Sequence, residues 1–197
     1  SGQLKRECAT EIAATLAFSA IQNNDKIGVI FFSDHIEKYI APKKGRKHIL
    51  YLIREMLTFT PDSKKTDVGV SLEYLNKVMK RRCTAFVISD FYTRKDFSQE
   101  LRIANKKHDV VAIQVYDPRA KEMPDVGLMK VVDAETGHEM YIDTHDARLR
   151  KVHNKYWEER EIRLHEMLSQ SHVDSVAIAT DDDYVKMLMT LFSKRNR

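Results

Sequence analysis

Uninterrupted apolar runs alternate with amphipathic segments along this chain. The runs at residues 27–32 and 85–88 contain no polar residue, which is typical of strands buried on both faces of a parallel sheet. Residues 110–116 and 175–179 are predicted as further strands. A helical period predicts helices over 5–23, 48–57, 67–80, 97–107, 147–170 and 184–192. The alternation predicts an α/β fold in three layers, with a doubly wound, mainly parallel sheet flanked by helices.

Two segments depart from the parallel pattern. Residues 36–40 alternate apolar and charged side chains after a short turn, so we expect them to pair antiparallel with residues 27–32. Residues 131–133 and 140–143 flank a polar segment and predict a separate β-hairpin. The length of 197 residues suits a single domain. We assign its core to about 5–145 and a C-terminal helix–strand–helix unit to about 146–197.

Composition narrows the classes of function. The net charge is +4 and the basic residues are dispersed, so nucleic-acid binding is not indicated. The two cysteines, Cys8 and Cys83, form neither a disulfide framework nor a metal motif, and a reducing cytoplasm is the expected compartment. No apolar run approaches the ~18 residues of a membrane span.

The candidate site residues lie at the start of one helix and at the end of one strand. Thr66 and Asp67 precede a helix, with Thr66 as the expected N-cap, and Ser89 and Asp90 follow the run at 85–88. In a doubly wound sheet both pairs lie on the same rim, where ligand sites occur. Their oxygens suit Mg²⁺ or Mn²⁺ rather than zinc. The alternative interpretation is structural, with Thr66 and Ser89 as caps and Asp90 as a turn residue.

The other candidate functional residues are weaker. His108 and Asp109 resemble a catalytic pair but are interpreted as the turn before a strand. Trp157, on the long charged helix, either packs or marks an interaction face. No Ser-His-Asp order, Gly-rich phosphate loop or His-Glu-x-x-His motif is present in the sequence. A further possible metal-binding group lies on or beside the predicted hairpin: Glu135, His138 and Asp143.

Six phrases, in this order, resemble the von Willebrand factor A-like domain and, more closely, the bacterial family of unknown function DUF58. The resemblance covers roughly residues 5–142, and more loosely the end. The phrases are residues 24–34 (NDKIGVIFFSD), 42–46 (PKKGR), 66–68 (TDV), 88–91 (ISDF), 107–110 (KHDV) and 133–137 (DAETG).

The resemblance implies a metal-ion-dependent adhesion site built from three loops. Thr66 matches the second loop and Asp90 the third, with Asp67 and Ser89 in supporting positions. The first loop, Asp-x-Ser-x-Ser, and the strand before it are not in this sequence. Mg²⁺ or Mn²⁺ is therefore expected in the intact protein, with only two of its ligands on this chain.

The missing strand has a consequence for the sheet. The strands at 27–32 and 85–88 would both pair with the missing strand. Without it they must pair directly with each other, recruit another segment or expose unpaired edges. We expect self-association through such edges.

The resemblance implies a non-enzymatic protein-interaction module, an adaptor for a MoxR-type AAA ATPase. One alternative is an enzyme, a Mg²⁺-dependent hydrolase of phosphoryl substrates, because strand-end carboxylates also suit that chemistry. Another is a weak nucleic-acid binder acting through the basic loops, whose binding would depend steeply on salt.

Overall fold

A computed structural model of the protein describes residues 2–93, 95–132 and 139–195, with side chains from Lys5 onward. The helices are α1 (Gly2–Gln22), α2 (Arg46–Thr58), α3 (Val68–Val78), α4 (Ser98–Lys107), α5 (Pro118–Lys121), α6 (Ala147–Gln170) and α7 (Tyr184–Arg195). The strands are β1 (Ile27–Phe32), β2 (Ile36–Lys43), β3 (Thr84–Ser89), β4 (Asp109–Tyr116), β5 (Leu128–Val132), β6 (Glu139–Asp143) and β7 (Asp174–Ala179). The fold is therefore mixed α/β.

A parallel sheet of order β3-β4-β7 forms the centre of the molecule. β4 is its middle strand and is buried along nearly its whole length. The prediction that β3 is buried on both faces was wrong, since only Val87 of that strand is fully buried. The reason is its position, because β3 pairs with β4 on one side and lies at the edge of this sheet.

Helices cover both faces of the parallel sheet. On one face, α1 and α7 pack against alternate residues of β4 and β7 through one apolar cluster: Ile12, Ile113, Val115, Ile178 and Leu188. On the other face, α3, α4 and the end of α6 pack through a second cluster: Leu72, Val87, Leu101, Val110, Ala112 and Leu168. This three-layer arrangement is a common way to bury both faces of a parallel sheet.

The predicted parallel sheet is present with three strands, β3, β4 and β7, but within the described residues β1 is not part of it. β1 pairs antiparallel with β2, as predicted, and this hairpin is separate from the β3-β4-β7 sheet. Within the described residues, the second edges of β1 and β3 have no strand partner. A backbone hydrogen bond from Asp67 to the carbonyl of Ser33, 2.8 Å long, ties the end of β1 to the start of α3.

The predicted second hairpin is present as β5 and β6, which pair antiparallel. Its outer side chains are exposed, with Tyr141 67% accessible. Residues 133–138, which include the candidates Glu135 and His138, lie outside the described residues. Among the described helices, none combines the length and the apolar character that a membrane crossing requires.

Candidate functional site

The amino end of α3 carries the first pair of predicted site residues. Asp67 is the N-cap of α3, and its Oδ1 accepts a hydrogen bond from the backbone N–H of Val70 at 3.3 Å. The prediction of Thr66 as the cap was wrong, because the neighbouring carboxylate takes that role. Thr66 lies half-buried immediately before it. The second oxygen of Asp67, Oδ2, accepts from Lys95 Nζ at 2.6 Å, and this hydrogen bond raises the pKa of Lys95.

The end of β3 carries the second pair. Ser89 Oγ accepts from the backbone N–H of Phe91, and Asp90 Oδ1 accepts from that of Tyr92, both at 3.0 Å. Phe91 adopts a left-handed φ of 52°, and its buried ring stacks on Phe97. The other oxygen of Asp90, Oδ2, accepts from Lys5 Nζ at 2.9 Å. The hydrogen bonds from Phe91 and Tyr92 are the turn contacts expected if Ser89 and Asp90 have a structural role.

The two pairs are connected through the loop that follows β3. Lys95 of that loop binds Asp67 at the start of α3, five residues after Asp90. The rim thus presents carboxylates and hydroxyls, with each carboxylate held by a lysine.

This donor set fits Mg²⁺ poorly. Mg²⁺ requires near-octahedral coordination by about six oxygens. Both oxygens of Asp90 and both oxygens of Asp67 already accept hydrogen bonds from N–H donors. A cation beside Asp90 would have to displace the Lys5 ammonium, so the arrangement in this chain favours an ammonium over a metal ion.

Next to Asp90 lies a group that we call the Asp90 surface: Asp90, Tyr92, Trp157 and Arg160. The Arg160 guanidinium lies 4.2 Å from the ring centre of Tyr92 and 4.9 Å from that of Trp157. Its Nη2 donates to the carbonyl oxygen of Asp90 at 3.4 Å. Burial lowers the pKa of Arg160, although the nearby Asp90 carboxylate opposes that shift. The long helix α6 therefore holds a cation and an aromatic ring against the loop after β3.

Sequence reasoning singled out Trp157 but missed Arg160 and Tyr92. One signal was available, since residues three apart on a helix share a face and this places Arg160 beside Trp157. Nothing in the local pattern shows that this face meets the loop after Asp90. That contact depends on how α6 packs across the molecule.

The pair His108 and Asp109 is structural. Asp109, the first residue of β4, accepts hydrogen bonds from Arg195 at 2.6 Å, which ties α7 to the sheet. His108 is fully buried, and its Nδ1 lies 3.5 Å from Cys83 Sγ. Burial raises the pKa of Cys83 and lowers that of His108, so both groups are held neutral. A thiolate nucleophile is therefore disfavoured here.

We expect His108 to make the protein acid-sensitive. Its folded pKa is lowered by burial, then by Lys107 and Arg82, whereas the unfolded chain binds a proton near pH 6.5. The free energy of unfolding should therefore fall as pH drops below about 6.5, with one proton contributing at most about 1.4 kcal/mol per pH unit. Urea unfolding between neutral and acid pH measures this slope.

The matched variants are His108→Phe and His165→Phe, the latter at an exposed position of α6. The first should flatten the acid limb and the second should leave it unchanged. Equal slopes in the wild type and in His108→Phe would contradict the assignment.

Residues 1–162 match the family described as "Protein of unknown function DUF58". The uncharacterized protein Rv1480 of Mycobacterium tuberculosis is 31% identical over 135 residues, which cover 68% of this chain and 43% of that protein. The uncharacterized protein MAV169 of Mycobacterium avium is 28% identical over 160 residues, covering 80% of this chain and 94% of that protein. The chain thus spans less than half the length of Rv1480.

Two crystal structures share the fold. The conserved hypothetical protein BatB from Bacteroides thetaiotaomicron superposes with a TM-score of 0.62 at 15% identity, over 96% of this chain and 87% of that one. An aerotolerance-related membrane protein from Bacteroides fragilis superposes with a TM-score of 0.59 at 14% identity, over 95% and 88% of the two chains. At these identities the likeness extends to the fold alone.

Proposed function

The chain belongs to the DUF58 family of proteins of unknown function, and we propose that it is a non-enzymatic protein-interaction module with a von Willebrand factor A-like fold. Its partner binds at the carboxyl ends of the strands, on the Asp90 surface. The three-layer α/β arrangement and the likeness to BatB support this assignment of the fold. Open α/β sheets bind their ligands at this rim.

The observation that carries the proposal is the composition of the Asp90 surface. Trp, Tyr and Arg are the residue types that most often dominate the energy of protein interfaces. Here Trp157, Tyr92 and Arg160 contact one another beside a carboxylate. Arg160 has no carboxylate within ion-pair distance among the residues that the structure describes, so its guanidinium is available to a partner's acidic group.

We propose a MoxR-type AAA ATPase as the partner, following the resemblance to the family. Thr66 and Asp90 remain the two residues of this chain that would ligate a divalent ion, supported by Asp67 and Ser89. Because Lys5 and Lys95 neutralise the two carboxylates, partner binding by this chain is proposed to be independent of Mg²⁺.

The chemistry of the described residues favours binding over catalysis. Cys83 and His108 lie as close together as a nucleophile–base pair would, but both are held neutral by burial. The rim carboxylates of Asp90 and Asp67 each accept a hydrogen bond from a lysine ammonium. A screen for phosphatase and nuclease activity with Mg²⁺ or Mn²⁺ tests the enzyme alternative directly, and turnover that Asp90→Ala abolishes would favour it.

The experiment for the interaction replaces Trp157 with alanine. Binding to the purified MoxR-type ATPase from the same genome, measured by biolayer interferometry, should weaken by about 2 kcal/mol or more, roughly thirtyfold, as for an interface hot spot. Tyr141→Ala on the exposed face of β6 is the matched control and should change affinity little. Equal losses for the two variants, or no loss for Trp157→Ala, would reject the Asp90 surface as the interface.

A further inference from the structure

The imidazole of His35, in the turn between β1 and β2, lies among carboxylates from two separate segments of the chain. Asp34 Oδ1 lies 3.0 Å from its Nδ1, and Glu37 Oε2 lies 3.6 Å from its Nε2. Asp62, on the loop between α2 and α3, places a carboxylate oxygen within 4.8 Å of both the imidazole and Glu37. A positive charge on His35 therefore attracts the turn and the loop to each other.

Glu37 fixes the position of the loop. Its side chain is only 2% exposed, and its Oε1 accepts hydrogen bonds from the backbone N–H groups of Asp62 and Ser63 at 3.1 and 3.3 Å. The hydrogen bond with Ser33 is the main cause that lowers the pKa of Glu37. A negative charge on β2 is thus held next to the backbone of the loop.

Asp34 also stays ionised near neutral pH. Its pKa is lowered first by the hydrogen bond with His35 and then by the one with the Ser63 side chain. Lys95, from the loop after β3, is a further charge near Asp34. Since Asp34 and Glu37 keep their charges, the imidazole of His35 is the group of this cluster that titrates near neutral pH.

We propose that His35 is a pH-dependent tie, in which the protonated imidazole holds the β1–β2 turn against the loop before α3 and deprotonation loosens that loop. When the proton leaves, the carboxylates face one another across a neutral ring and repel. Asp62 is exposed and lies on the loop, so it is the member that moves away. The loop leads to Asp67 at the start of α3, whose backbone N–H donates to the Ser33 carbonyl at 2.8 Å.

The pH range of the tie follows from the direction of the shift. The pKa of His35 is raised, first by the hydrogen bond with Asp34 and further by the charges of Glu37 and Asp62, although desolvation opposes the shift. The stabilisation is therefore complete below the unfolded value of about 6.5 and is lost as pH rises through the folded pKa. The contribution of His108 has the opposite sign and is lost on acidification, so the two histidines act in different pH ranges.

Two measurements on the full chain test the tie. Nuclear magnetic resonance follows the His35 imidazole through its titration, and its pKa should fall toward the ordinary value in Asp62→Asn. Hydrogen exchange, expressed as protection factors to remove the intrinsic pH dependence, follows the amides of Asp62 and Ser63 that donate to Glu37. Their protection should be roughly two- to fivefold higher at about pH 6 than at about pH 8, as for an exposed ion pair.

A matched pair of histidine variants makes the result specific. His35→Gln keeps a polar side chain but cannot gain a charge, so the protection of Asp62 and Ser63 should stay at the low, alkaline level at every pH. His145→Gln removes an exposed histidine that pairs with Asp125 at 2.5 Å, and it should keep the wild-type pH dependence. Unchanged pH dependence in His35→Gln, equal loss in His145→Gln, or a His35 pKa that Asp62→Asn does not move would overturn the proposal.

Discussion

Replacing Asp90 with alanine should abolish binding of the partner ATPase, with a loss of at least about a hundredfold, while the protein stays folded. Asp90 accepts hydrogen bonds from Lys5 and from the backbone of Tyr92, and its charge faces Arg160. Without this carboxylate, Lys5 loses its ion-pair partner and the turn that positions Tyr92 loses its cap. Losing one member of a charge network in an interface costs about 2–5 kcal/mol. Interferometry gives the affinity, and circular dichroism checks the fold.

A second variant separates the charge of Asp90 from its role in the turn. Asp90→Asn keeps a side-chain oxygen for the Tyr92 N–H but removes the charge that pairs with Lys5. If charge carries the interaction, Asp90→Asn should lose nearly as much affinity as Asp90→Ala. Asp125→Ala is the matched control, because Asp125 is another carboxylate with side-chain partners, His145 and Arg150, at a different place on the surface. Its affinity should be unchanged.

Partner binding measured in the presence of EDTA tests whether the interaction depends on a metal ion. We expect EDTA to leave binding by this chain unchanged, since lysines neutralise Asp67 and Asp90. Loss of binding in EDTA together with loss in Asp90→Ala would instead favour the metal-bridged mechanism of the resembled domain. Binding unaffected by Asp90→Ala would exclude the rim altogether.

Local structure was predictable from the sequence because it depends on periodicity and capping. The helix expected at 147–170 is α6 (Ala147–Gln170), and the strand expected at 27–32 is β1. α5 was missed, although Asp117 followed by Pro118 is a typical helix start. Its four residues are too few to show a helical period.

Pairing within the two hairpins was predictable, but the strand order of the parallel sheet was not, because it depends on contacts far apart in sequence. The apolar run of β3 was interpreted as a strand buried on both faces and β4 as the next strand, and only the topology shows that β4 is central. The same limit applies to the candidate site. Sequence placed Asp90 at the end of a strand, but Lys5 and Arg160 approach it from 85 and 70 residues away. Those contacts decide whether Asp90 faces a metal, a lysine or a partner.

The chain should self-associate through the unpaired edges of β1 and β3. Within the described residues, β1 pairs only with β2 and β3 only with β4, so neither strand has a strand partner on its other side. Unpaired edges recruit strands from other molecules. Light scattering coupled to size exclusion should show a mass that rises with protein concentration.

Hydrogen exchange identifies the surface responsible for that association. Edge amides of β1 and β3 should exchange quickly in dilute protein and slowly in concentrated protein, because pairing between molecules protects them. Amides of β4 serve as the internal reference, since β4 is paired on both sides and should be protected at every concentration. The exposed hairpin β5–β6 tests the competing route, and protection gained there alone would move the interface to that hairpin. A monodisperse monomer whose β1 and β3 amides are all protected would show that the two edges are paired within one molecule, and self-association through them would then be excluded.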